Sequence, residues 1–142
     1  METVIGIIVF LLGMLCWIGQ SLALFSLPTA IRLGLFEAES EVDGSLYQIE
    51  RLAEGIMDFL LCWMLPVSGL MMVLEIKIWP ILALVGGGVY LYFPGLIILS
   101  RIVLKRQGKK IGSPSSEKAA YLFGTLWALS ALIMIWLAVL KL

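Results

Sequence analysis

Four stretches of this chain, 3–31, 59–74, 78–100 and 119–140, contain no Asp, Glu, Lys or Arg. A run of about 18 or more apolar residues is long enough to cross a bilayer as a helix. Three of the stretches clear that length. The other, 59–74, has 16 residues. At about 1.5 Å per residue it covers roughly 24 Å, against a hydrocarbon core of about 30 Å. Ile56 and Met57 lengthen it, so spans are expected at about 4–27, 56–74, 78–100 and 119–140. Composition agrees: 61% of residues are hydrophobic and 14% charged, where a soluble domain carries roughly a quarter charged. The connections are too short for a soluble domain, and 1–142 reads as a single four-span unit. Ser21-Leu22-Ala23 could serve as a signal-peptide cleavage site. However, no Lys or Arg precedes the first run, and that run exceeds the usual signal core of about 7–15 residues. It is read as a retained span.

The charges set an expected orientation. Arg32, Arg51, Arg101, Lys105, Arg106, Lys109, Lys110 and Lys118 fall in or beside the loops after spans one and three, and only Lys77 and Lys141 fall on the other face. Basic residues accumulate on the cytoplasmic side. The expected fold is an all-α, up-down-up-down four-helix membrane bundle with both termini non-cytoplasmic, as in a multi-pass cell-membrane protein of the bacterial inner-membrane kind. The two loop regions carry opposite charge, −5 over 32–58 and +5 over 101–118. They either attract each other, although exposed pairs contribute only about 0–1 kcal/mol each, or stand as two independently solvated loops. Alternatively the basic loop contacts anionic lipid.

Local signals divide the chain further. Pro28 ends or bends span one, and the apolar stretch 30–36 suits a short interfacial helix. Ser45 and Gln48 form a capping-box pattern, which starts a helix near Leu46. Leu46, Ile49, Leu52, Ile56 and Phe59 then recur on one face, so span two is expected to extend two to three turns into the cytoplasm. Pro66 should free the Cys62 carbonyl and kink the helix. Gly86-Gly87-Gly88 suits close helix packing better than a broken transporter-type helix. Ser113-Pro114 fits an N-cap with proline at the first helical position. Ala120, Gly124 and Ala128, four residues apart, form a small-residue face for helix contact, inside the bundle or with another chain. Trp79, Trp136, Tyr47 and Tyr121 fit an interfacial aromatic belt. Trp17, Trp63 and Trp127 lie deeper and read as packing residues.

Polar residues inside the spans are few. Glu50, Glu54 and Asp58 share a helix face. Asp58, at the edge of the short second span, is expected to pair with Arg101, at similar depth. The functional version makes Glu54, Asp58 and Arg101 part of an ion or proton path, with Gln20 and Ser68 along it. Glu39, Glu41, Asp43, Gly44 and Glu50 fall at EF-hand spacing within the acidic loop that begins at Glu37. Glu in place of Asp at the first two positions would crowd a calcium ion. Cys16 and Cys62 read as buried hydrophobes. The sequence contains no histidine, which removes His-ligated metals and His general bases. The chain has no P-loop, no nucleophile–base pair and no basic–aromatic pattern for nucleic acid. The expected function is structural or accessory, through lateral contacts with a second copy or another membrane protein. The alternative is a small ion or proton transporter using Asp58. An enzyme is the least favoured class, no cofactor is expected, and the first partner is the lipid bilayer.

Overall fold

The computed structural model describes residues 2–142. Helix α1 (Glu2–Phe25) is followed by a short α2 (Leu27–Arg32), which has Pro28 in its first turn and Arg32 in its last. A 3-10 turn (Glu39–Glu41) leads into the second span, Gly44–Val73. That span is built of α3 (Gly44–Gln48), a π turn (Ile49–Glu54), α4 (Gly55–Leu61) and α5 (Met64–Val73). Helices α6 (Trp79–Arg106) and α7 (Pro114–Val139) complete the chain. Four helices are long and apolar enough to cross a membrane, and among the described residues there is no strand beyond one isolated bridge. The fold is an all-α four-helix bundle. Sequence neighbours pack side by side: α1 on α4 and α5, α5 on α6, and α6 on α7. Glu2 and Lys141 pair at 3.1 Å, so both ends of the chain meet at one end of the bundle and the charged loops meet at the other.

The second span sits in the membrane differently from its expected reading. The middle of its apolar row turns outward, with Ile49, Leu52 and Ile56 exposed at 50%, 44% and 47%, while Leu46 at its start is buried. Its acidic row, Glu50, Glu54 and Asp58, turns inward and is buried. In water an apolar row faces the core, whereas in lipid it faces the solvent, which is lipid. With that row facing lipid, the apolar length of this span would extend about two turns beyond residue 56, to Ile49, which would make up the shortfall. Asp43, rather than Ser45, is the N-cap. Its carboxylate accepts from the amides of Ser45 at 3.1 Å and Leu46 at 3.4 Å.

The oppositely charged loops do join. The Asp43 amide donates to the Lys110 carbonyl at 2.8 Å, and the Gly112 amide to the Glu41 carbonyl at 3.1 Å. Lys109 stands 3.6 Å from Asp43, and the Lys110 ammonium donates to the Ser40 carbonyl at 3.2 Å. Beneath these bonds Val42, Leu46 and Tyr47 form a small separate core with Leu27, Phe36 and Leu104. Gly112 has φ +107°, a conformation that side-chain-bearing residues rarely adopt. Ser113 caps α7 as expected, accepting from the Ser116 amide at 3.3 Å.

Pro66 breaks the second span where the sequence places the break, and the helix interrupts at Cys62–Trp63. The carbonyl it frees is not left unpaired. The Tyr90 hydroxyl, fully buried on α6, lies 2.9 Å from the Cys62 carbonyl and 3.0 Å from the Gly13 carbonyl, with one proton to serve both. The glycine triplet does not break α6. A Cβ on Gly86 would stand 2.6 Å from the Leu65 amide nitrogen, and one on Gly87 would meet Ile135 at 2.6 Å, while Gly88 faces open space. Two of the three glycines thus seat α6 between its neighbours. Two belt residues are corrected: Trp79 is buried in the core and Tyr47 in the loop core, while Trp63, expected inside, is partly exposed on the outer face. Trp17 and Trp127 do tie helices together, donating to the carbonyls of Phe59 and Leu12, each at 2.9 Å.

Tyr90→Phe leaves a buried carbonyl unpaired, so it should lower unfolding free energy in micelles by about 1–3 kcal/mol. In a Pro66→Ala background residue 66 supplies its own amide, and the loss should largely vanish. Equal losses in both backgrounds would refute the pairing. Gly86→Val should cost about 1–3 kcal/mol through overpacking, with Gly88→Val near neutral; the same unfolding assay separates them.

Candidate functional site: a cavity at the charged-loop end

A cavity of about 310 Å³ lies beneath the joined loops. Leu15, Cys16 and Gln20 of α1 form one wall, and Phe36, Glu37 and Val42 of the loop form another. Tyr47, Glu50 and Glu54 enter from the second span, and Ile97 and Arg101 from α6. Ala120, Phe123 and Trp127 of α7 close it. Arg101 follows Trp79 by about 33 Å of helix at 1.5 Å per residue, which puts it near the hydrocarbon edge. Glu54 lies about one turn deeper than the partner of Arg101.

That partner is Glu50. The Arg101 guanidinium donates through both terminal nitrogens to both Glu50 oxygens, the second contact being 3.2 Å. Both side chains are almost wholly buried. The expected Asp58–Arg101 pair does not form. Asp58 is 1% exposed, lies outside the cavity lining and accepts a hydrogen bond from the Cys62 thiol at 3.4 Å. The physical reason is depth. Placing the hydrocarbon edge at the last charge before the uncharged run put Asp58 opposite Arg101. The outward row from Ile49 moves that edge up two turns, and Glu50 takes the place.

Glu54 is the exception among the three carboxylates. It is 6% exposed, it lines the cavity, and no side chain or backbone group among the described residues hydrogen-bonds to it. It occupies the last position of the π turn, in which the Gly55 amide donates to the carbonyl of Glu50 five residues back. Such turns insert a residue into a helix and often sit at functional positions. Among the described residues three further lining groups carry a buried polar atom without a partner, Gln20 at Oε1, Glu37 at Oε2 and Arg101 at Nε. The other Glu37 oxygen accepts from the Ser113 amide at 2.9 Å. Gln20 was among the expected polar residues. Glu37 was not singled out, and nothing in its sequence context marks it, because its role depends on the loop folding back over α7.

The remaining candidates are placed as follows. Ser68 donates to the Leu65 carbonyl of its own helix at 2.6 Å, away from the cavity. Gly124 packs on α6, where a Cβ would stand 3.1 Å from Ile98; Ala120 lines the cavity and Ala128 is half-buried. The calcium-loop residues are spent elsewhere, Asp43 as a cap and Glu50 with Arg101. Among the described residues no three His, Cys, Asp or Glu side chains converge on one point.

Removing one partner of a buried pair strands the other charge. Arg101→Ala should therefore cost about 3–5 kcal/mol, and the double variant with Glu50→Gln should recover much of it. Unfolding of the single and double variants in micelles measures both. If Asp58→Asn, rather than Glu50→Gln, rescued Arg101→Ala, the pairing described above would be wrong.

Comparison of the chain with protein-family models, with curated proteins and with solved structures finds no match; its chemistry has to be argued from this cavity.

Proposed function

We propose that this membrane protein binds a small solute in the cavity, reached from the charged-loop end. The observation that carries the reading is Glu54, a buried carboxylate with no hydrogen-bond partner among the described residues, facing a space that can hold one. A chain does not keep such a group at membrane depth without cost, and intramembrane carboxylates commonly mark solute or ion pathways. The accessory reading has less to stand on. Its small-residue face is used inside the molecule at Gly124, where Pro94 and Ile98 of α6 lie against it. The transporter reading moves from Asp58 to Glu54. A continuous pore is disfavoured, because the half of the bundle beyond Asp58 is filled by Leu65, Met72, Tyr90 and Met134. The buried Ser68 and Ser130 bond back to carbonyls of their own helices.

The proposal is one of binding rather than catalysis. It takes the charged-loop end as cytoplasmic, from the excess of Lys and Arg there, with both termini outside the cell membrane. Anionic lipid is the proposed companion of the outer basic surface. On that surface Lys105 and Arg106 border a groove between α6 and α7, and Lys105 holds Glu117 at 2.6 Å.

Cys16 lines the cavity and Cys62 does not, which gives the test. In a Cys62→Ala background, the membrane-impermeant thiol reagent MTSET should modify Cys16 in inside-out vesicles and not in right-side-out ones. Ala120→Trp, which fills the cavity, should slow that reaction by about tenfold or more, the effect of roughly 1.4 kcal/mol. Modification unaffected by Ala120→Trp would overturn the cavity reading, and modification from the terminal side would overturn the orientation.

A further inference from the structure

We propose that the solute is a protonated primary amine with an apolar, preferably aromatic, body; this rests on the cavity reading above and adds the ligand's chemistry. The first argument is charge. Glu37, Glu50 and Glu54 line the cavity, and Arg101 is the one basic residue among its lining. Arg101 is already engaged by Glu50 through both terminal nitrogens. An anion would meet two unopposed carboxylates, whereas a monovalent cation would offset one of them.

The second argument is hydrogen bonding. The lining's one buried unpartnered donor, Arg101 Nε, belongs to the guanidinium that Glu50 already engages; the other groups without a partner among the described residues, on Glu54, Glu37 and Gln20, are oxygens. They come from the π turn, the acidic loop and α1, so they approach the space from separate elements. A primary ammonium carries three N–H donors and no acceptor, which matches such a set. A quaternary ammonium carries the same charge and no donor. Hydrogen bonds to charged groups contribute more than neutral ones, so the primary amine should be preferred.

The third argument is the rest of the wall. Phe36, Tyr47, Phe123 and Trp127 line the same space, with Leu15 and Ile97. Aromatic faces attract cations as well as apolar groups. A cavity of about 310 Å³ is within the range of small-molecule sites. It is too roomy and too apolar for a bare calcium ion, which needs six to eight oxygens around it.

The ammonium can arrive on a soluble amine or on the headgroup of an aminophospholipid. The test uses the purified full chain in phosphatidylglycerol nanodiscs and measures calorimetric binding of 2-phenylethylammonium, 2-phenylethanol and phenylacetate. The ammonium should bind at least about tenfold more tightly than the alcohol, and phenylacetate should not bind. Glu54→Gln should weaken the ammonium by about ten- to a hundredfold, the effect of a lost charged hydrogen bond. Glu75→Gln, at the terminal end, should leave it unchanged. The N-trimethyl form of the probe should bind more weakly than the primary amine. Adding phosphatidylethanolamine to the nanodiscs separates the sources: competition assigns the site to the lipid headgroup, and unchanged affinity assigns it to a soluble amine.

Equal binding of ammonium and alcohol, indifferent to Glu54→Gln, would overturn the amine assignment and leave the cavity reading standing. Displacement of the probe by low-millimolar calcium or sodium chloride would also overturn it, in favour of a bare cation. Failure of all three probes, together with Cys16 labelling that Ala120→Trp does not slow, would sink the cavity reading itself.

Discussion

A lipid interior offers neither hydrogen bonds nor counter-charge, so a chain that crosses it four times has to supply both from its own side chains. The arrangement of this bundle answers that shortage residue by residue. The carbonyl freed by Pro66 is met by the Tyr90 hydroxyl, and the charge of Glu50 by Arg101. Indole N–H groups from α1 and α7 reach carbonyls on their neighbours. Serines inside the spans bond back to their own helices. Packing supplies the rest of the cohesion: Gly6 and Gly69 let α1 and α5 cross closely, and Gly86 does the same for α5 and α6. Where so much is satisfied, the few oxygens left over stand out, and they gather around one cavity.

The number of crossings, the placement of the loops and the break at Pro66 were legible because each follows from local chemistry. Uncharged length sets a span, and a missing amide sets a kink. The attraction between the loops was legible from their opposite charge, though not its form, a backbone bridge at Val42 and Ile111 over a small core. The inward face of the second helix was harder. Leu46 to Phe59 and Glu50 to Asp58 have the same period, so periodicity finds two faces without saying which is inside. Solvent decides that, and reading the acidic row as an exposed cytoplasmic extension placed Asp58 at the membrane edge. The π turn has no residue signature in this sequence. The cavity itself joins residues as far apart as Leu15 and Trp127, which no local pattern can bring together.

Burial alone does not distinguish the three carboxylates of the second span. All are inside, yet they differ in what they meet. Glu50 has a guanidinium, Asp58 has a thiol, and Glu54 has open space. From the loop end inward the order along the helix is guanidinium, open space, thiol, and the π turn (Ile49–Glu54) contains both Glu50 and Glu54. An ordinary helical turn there would rotate Glu54 relative to Glu50 by a different amount. The turn is thus the backbone feature that fixes how the unpaired carboxylate is presented.

The pairing of Glu50 with Arg101 also bears on how the chain is made. The two residues are separated by 51 positions, so the acid emerges from the ribosome well before the base. An aspartate or lysine-like charge at a helix centre costs about 2.5–3.5 kcal/mol to insert, and the second helix brings a row of three acids. On its own it is a poor candidate for lateral release into the bilayer. Once α6 is alongside, its arginine meets the first of those acids, so the second and third spans are better suited to the bilayer as a pair than the second is alone.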